Sequence, residues 1–273
     1  YLIGILLIYK TDKYGIKMSN FSIAENFSQY FAIKFANTKE LRQEAFKIRY
    51  GVYCNELGWE PENEQEMETD ECDDYSFHCV LEHKRTKAFA GCIRLVIPPA
   101  NNPHLKLPFE ENCLDSAIPN TIDTQALPRG GFGEISRLAV LSDFRRRPQE
   151  KNTPYVLNSI NPDTVFTDEE RRNFPNIAMG LYLSGLALAE ICNHVGILVM
   201  MEPRLNRRLQ RFGLPFEQIG EETDYHGRRA MFFLSRKNFH RELTSQISEL
   251  YEIIYNDLKK QMFFIPYTNL ADK

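Results

Sequence analysis

Apolar residues recur along this chain with two periods. Between about Thr38 and Leu57 they fall at Ala45, Phe46, Val52 and Tyr53, the spacing of a helix with one inward face. Asn37 or Thr38 stands at its start, with Glu40 placed for a capping box to Asn37. Arg49 lies on that same stripe, so its guanidinium points inward and needs a partner. Strand patterns follow at Phe77–Glu82 and Ala88–Ile97, joined by the polar turn His83–Lys87 and stopped by Pro98 and Pro99. Residues 99–130 read as irregular loop with a short helix, and Gly130, Gly131 and Gly133 lead into a strand from Glu134 to Leu141. The polar stretch 144–174 reads as an insertion. An all-round apolar helix over Ile177–His194 should be buried, and a core strand follows at Ile197–Met201. Then come a short basic helix over Arg204–Phe212, ended by Gly213, and a hairpin of Phe216–Ile219 with Arg229–Leu234. An amphipathic helix over Asn238–Met262 carries Leu243, Ile247, Leu250, Ile254 and Leu258 on one stripe. This order predicts one α/β domain with a mixed sheet over 30–240, an N-terminal extension over 1–29, and a C-terminal helix and tail over 241–273.

Composition narrows the class. The 273 residues carry a net charge of −4, which offers no basic excess for nucleic acid. Tyr1–Tyr9 is apolar but far short of the ~20 residues that span a bilayer, so no transmembrane segment is expected. Because Met18 opens a more ordinary sequence, residues 1–17 read as an upstream extension. The six cysteines form no C-x-x-C pair, and His78 with Cys79 has no second ligand cluster beside it. Reduced thiols, a cytoplasmic location and no metal are therefore expected. Oligomeric state is left open.

The chemistry rests on charges placed among apolar residues. Arg94 sits in GCIRLVI and Arg137 in EISRLAV, and with Arg49 they make three arginines on segments that should be buried. The acidic loop offers Glu68, Asp70 and Asp73, so the economical arrangement folds that loop over the arginines as one polar cluster. Ordinary surface salt bridges are the plain alternative. Strand alternation puts Glu134, Ser136, Leu138 and Val140 on one face and Arg137 on the other. Glu134 is suited to accept the proton of an ammonium nucleophile, although pairing with an arginine would also explain it.

The ordered set Arg49, Val52, Tyr53, Glu56, Leu57, Gly58, Trp59, then Glu68, Asp70, Asp73, then Gly91, Arg94, Leu95, then Glu134–Val140 resembles the acyl-homoserine-lactone synthase family; Tyr53 stands where that family usually has Phe. The segments IRYGVYCNELGWEP, EMETDECDDYSFHCV and ISRLAVLSDFRRR, with residues 194–234, also resemble the acyltransferases that accompany PEP-CTERM/exosortase systems, described as N-acyl amino acid synthases. The resemblance implies a GNAT-like α/β fold, an acyl carrier protein thioester as donor and an amino acid as acceptor. It makes acyl-phosphopantetheine a substrate, with no permanently bound cofactor. On this basis Glu134 and Ser136, with backbone groups at Leu138 and Val140, are the candidate catalytic set. Arg49, Tyr53, Trp59, Glu68, Asp70, Asp73, Arg94 and Arg137 are candidates for substrate binding, and Arg49 and Arg94 suit an acceptor carboxylate. The glycine loop that holds a coenzyme A pyrophosphate is broken here, since Asp143–Arg147 is followed by about 30 residues before Met179–Leu181. Arg145, Arg146 and Arg147 are candidate contacts for an acidic carrier protein. The alternatives are a lactone synthase using S-adenosylmethionine, an acetyl-CoA-dependent N-acetyltransferase, and an inactive binding module of the same fold.

Overall fold

A computed structural model of the protein describes residues 22–99, 101–112, 118, 121–122, 124, 126–145, 166–225 and 227–263. A mixed sheet runs through its centre. In chain order the strands are β1 (Phe31–Phe35), β2 (Ser76–His83), β3 (Phe89–Val96), β4 (Phe132–Val140), β5 (Gly196–Met201), β6 (Glu217–Gln218), β7 (Thr223–Asp224) and β8 (Arg228–Ser235). Their spatial order is β1-β2-β3-β4-β5-β8-β6, with β7 also paired to β8. Among the described strands only β4 and β5 are parallel; the other pairs are antiparallel.

The helices α1 (Ile23–Tyr30), α5 (Pro175–Ile191) and α8 (Ser245–Met262) share the largest apolar core, on one face of the sheet. The helix α2 (Lys39–Arg49) packs with the other face through Ala45 and Ile48, against Val80, Cys92 and Ala139. Its cap is Thr38, whose hydroxyl accepts from the Leu41 amide at 3.3 Å, in place of a box between Asn37 and Glu40. The helix does not continue unchanged to Leu57. From Tyr50 to Glu56 it widens into a π-helix, a local change often found at functional sites.

Two terminal segments are part of the core. α1 lies inside the stretch read as an extension; Ser22 and Glu25 cap it reciprocally, and it buries Ala24 and Phe27. A methyl group at Gly180 of α5 would lie 2.4 Å from the Phe27 ring, so the two helices meet without space for a side chain. The C-terminal pattern is interrupted at Leu243, leaving α7 (Arg236–Glu242) and α8 as separate helices. α8 buries Ile247, Leu250, Ile254 and Leu258 as its stripe requires. Near its end, the Gln261 side chain accepts from the Phe35 amide at 2.8 Å and donates to the Ile33 carbonyl at 3.0 Å. It thus covers part of the open edge of β1.

The polar stretch 144–174 is described only at its ends. Phe144 is buried, α4 (Asp168–Asn173) is capped by Thr167 and Glu170, and Glu170 pairs with Arg85 and His83. The other helices are α3 (Pro108–Asn112) and α6 (Pro203–Gln210). Among the described residues no helix is long and apolar enough to cross a membrane.

Replacing Phe27 by Ala should cost about 3–5 kcal/mol of unfolding free energy, measured by urea titration, because the ring fills a closed contact with α5. A loss near zero would mean that α1 is a detachable extension after all.

Candidate functional site

Two features of the sheet bring the charged residues together. The first is the register of its central strands, which places His78, Arg94 and Ser136 side by side on β2, β3 and β4. The second is a β-bulge. Arg94 pairs with Ser136 and Cys92 with Ala139, so two residues, Arg137 and Leu138, stand against Ile93 alone. Arg137 takes a φ of 51°, a conformation that costs an L residue about 1–2 kcal/mol. The bulge corrects the simple alternation. Arg137 turns to the same side as Ser136, and Leu138 and Val140 pack into the α5 core away from Glu134 and Ser136.

The acidic loop closes on this face. Asp73 accepts from Arg49 at 2.7 Å and from Arg94 at 2.8 Å through one oxygen, while the other holds the Asp70 amide at 2.8 Å. Glu68 accepts from Arg49 Nε and pairs with Arg137 at 3.1 Å. Asp70 pairs with Arg94 and with Arg137 at 3.2 Å, and Arg94 Nε donates to Ser136 at 3.0 Å. Arg49 and Arg94 are 0% exposed. Three guanidiniums thus meet three carboxylates, with Glu60 at the rim 3.6 Å from Arg137. Each fully buried arginine leaves its Nη2 without a hydrogen-bond partner. Burial opposes ionisation of Asp73, but Arg49 and Arg94 outweigh it and hold the carboxyl well below the usual range. Burial pushes His78 down to about 3 despite Asp73 nearby at 3.5 Å, so it stays neutral.

Glu134 occupies a different environment one step along β4. It is 1% exposed and accepts from the Phe109 amide of α3 at 2.8 Å. Burial, against the pull of that hydrogen bond and of Arg94, lifts its carboxyl to about 8. A carboxyl in that range can exchange a proton near neutral pH.

Beside Glu134 the sheet opens. The parallel ladder between β4 and β5 covers Phe132–Ile135 against Gly196–Val199 and then stops, so the strands diverge from Ser136 onward. Aromatic residues stand at the gap. Tyr53, on the π-helix, donates from its hydroxyl to the Leu138 carbonyl at 2.8 Å. Gly58, at a φ of 62°, turns the chain so that the Trp59 amide reaches the Tyr53 carbonyl at 2.8 Å. The two rings stack at 5.9 Å with 17° between their planes. Arg137 lies over the Tyr53 ring at 5.7 Å, and Arg229 of β8 lies over the Trp59 ring at 5.1 Å. Contacts of cation with ring, ring with ring and ring with cation thus link β4 to β8 beside the divergent strands.

The remaining sequence candidates fall elsewhere. Arg145 is exposed and pairs with Glu56, while Arg146 and Arg147 lie outside the described residues. Arg229 and Tyr182, which stand by the gap, were not among the candidates. Tyr182 had a faint signal as a hydroxyl within an apolar helix, and Arg229 had none beyond its place at a strand start.

Residues 48–152 match a family model described as an acetyltransferase (GNAT) domain. An acyl-homoserine-lactone synthase of Aeromonas salmonicida is 25% identical over 182 residues, covering 66% of this chain and 72% of that protein. The corresponding enzyme of Aeromonas hydrophila is 24% identical over the same length. Among solved structures, TofI in a ternary complex with an inhibitor and MTA superposes with a TM-score of 0.52 at 15% identity, covering 80% of this chain and 96% of that one. The AHL synthase LasI superposes with a TM-score of 0.51 at 15% identity, covering 79% of this chain and 97% of that one. The fold is that of the GNAT acyltransferases.

Two substitutions probe the site's energetics. Asp73→Asn should destabilise the protein by about 3–5 kcal/mol in denaturant titration, since it leaves two buried guanidiniums under-compensated. Glu134→Gln should act through pH. The folded Glu134 keeps its proton up to about 8, whereas the unfolded group releases it near 4.5. The folded state therefore binds more protons in that window, and wild-type stability falls as pH rises through it. Urea midpoints at about pH 5 and about pH 8 should differ less in the Gln variant; an unchanged difference would remove Glu134 as the source.

Proposed function

We propose that this N-acyltransferase moves a fatty acyl group from an acyl carrier protein thioester to the amine of an amino acid. The observation that carries the reading is the gap between β4 and β5 beside Glu134, whose carboxyl is raised to about 8. Past Ile135 the β4 backbone has no ladder partner in β5, so amides near Leu138 and Val140 are available to an oxyanion. In this scheme the neutral amine attacks the thioester carbonyl. The tetrahedral oxyanion collapses, the carbon–sulfur bond breaks, and the phosphopantetheine thiol leaves as the amide forms. The ionised form of Glu134, whose share grows as pH rises toward about 8, receives the proton lost by the ammonium, directly or through water. Its Oε2 holds the Phe109 amide, and Oε1 makes no hydrogen bond among the described residues. No enzyme nucleophile is needed, because positioning of the two reactants supplies much of the rate.

The carrier protein as donor has its own support. Enzymes that grip a coenzyme A pyrophosphate do so with free amides at a helix N-terminus. Here α5 follows α4 with only Phe174 between them, and Phe174 has helical dihedrals. The Phe174 amide donates to Arg171 and the Ile177 amide to Phe174, so the chain continues over the end that a pyrophosphate would use. A donor that presents phosphopantetheine without the nucleotide suits this arrangement. The segments that resemble the acyltransferases of PEP-CTERM/exosortase systems support the same reaction.

A second reading is lactone synthesis from S-adenosylmethionine, favoured by the similarity to the Aeromonas enzymes. Mass spectrometry of lipids from a bacterial host expressing the protein separates the two. N-acyl amino acids are expected, and their absence alongside new acyl-homoserine lactones would overturn the first reading in favour of the second.

A further inference from the structure

Arg229 differs from every other arginine at the gap. Arg49, Arg94 and Arg137 are each engaged by carboxylates of the acidic loop, and Arg49 and Arg94 are sealed from solvent. Arg229 is only partly buried and forms no ion pair with a described carboxylate. Its Nε is buried without a hydrogen-bond partner. The neighbouring Arg228 behaves as a surface residue should, paired with Glu222 at 2.6 Å in solvent. Alternation along β8 explains the contrast, with Arg228 turned outward and Arg229 on the face shared with Met231, Phe233 and Glu134.

The position of Arg229 is held by its surroundings. The guanidinium lies over Trp59, whose ring is fixed by Tyr53, so a planar fork is presented with little freedom to lose on binding. Its charge also reaches into the gap. Burial raises the phenols of Tyr53 and Tyr182, and Arg229 pulls both back. Across β5 the register sets Phe233 of β8 opposite Glu134, and Arg229 lies farther along β8, past the last β5 pair and at the end where β4 and β5 have separated. An amino acid seated at that end would direct its carboxylate to Arg229 and its amine toward β4.

We infer that Arg229 is the binding residue for the acceptor's α-carboxylate, held ready for it by the Tyr53–Trp59 stack. This rests on the amino acid reading given above and assigns the group that would select free amino acids over amines lacking a carboxylate. Arg49 and Arg94 then serve as the charge-balanced frame beneath the site.

The test compares free amino acids with their primary amides as acceptors, using a long-chain acyl carrier protein as donor. Wild-type enzyme should prefer the acid. In Arg229→Gln the KM for the amino acid should rise roughly 10- to 100-fold, the range expected for a lost charge-assisted contact. The preference for acid over amide should disappear, and the KM for the donor should stay unchanged. Arg229→Lys keeps a charge over Trp59 but loses the fork, so it should give an intermediate rise and serve if the Gln variant does not fold. Retention of the acid preference in a folded variant would overturn the role of Arg229 while leaving amino acid acylation intact. If the wild-type enzyme acylates no amino acid in the panel, the underlying reaction and this inference fall together.

Discussion

The carboxylate of Asp73, shared between Arg49 and Arg94, is the contact on which the rest of the structure depends. An arginine with no exposed surface is tolerable only where its charge is met in place. Asp73 meets two, and its second oxygen holds the Asp70 amide, so one side chain ties α2, β3 and the acidic loop. Glu68 and Asp70 extend the network to Arg137 on β4. Because the pairs at its centre, Arg49 with Glu68 and Asp73 and Arg94 with Asp73, are buried at both ends, this network supplies position more than net stability. It fixes where α2 ends and where the bulged strand lies, and Tyr53 and Trp59 follow from that.

Beside this polar frame the sheet is deliberately incomplete. A parallel pair of strands that separates after Val199 offers backbone groups that no neighbouring strand takes up. Backbone left outside the ladder next to a buried carboxyl is costly for a protein that only needs to fold. For a transferase the same arrangement binds the developing charge of a reaction intermediate. The linked rings and cations beside the gap join β4 to β8, strands distant in sequence.

Much of this is legible in the sequence. Arg49 on an apolar helical stripe, and Arg94 and Arg137 within apolar strands, called for partners, and the acidic loop offered Glu68, Asp70 and Asp73. The period of each main element was also readable. What escaped depends on local departures from periodicity. The bulge adds one residue to β4 and so reverses the faces of Leu138 and Arg137, and nothing in EISRLAV announces that an arginine will adopt positive φ. The π-helix after Arg49 has no compositional mark. α1 is a single short amphipathic unit, too brief to stand out until Phe27 is seen against Gly180. Arg229 looked like half of a charged pair at a strand start, and its significance comes only from a ring brought to it by residues about 170 positions earlier.

One small contact near the C-terminus has wider reach. β1 is the outermost strand on its side of the sheet, and a bare strand edge is a template for another copy of itself. The single amide of Gln261 occupies both a donor and an acceptor of that edge. A chain shortened by the last turn of α8 would keep its charged frame and its gap, yet would carry an open seam. Its first failing would be stickiness between molecules, well before any loss of chemistry.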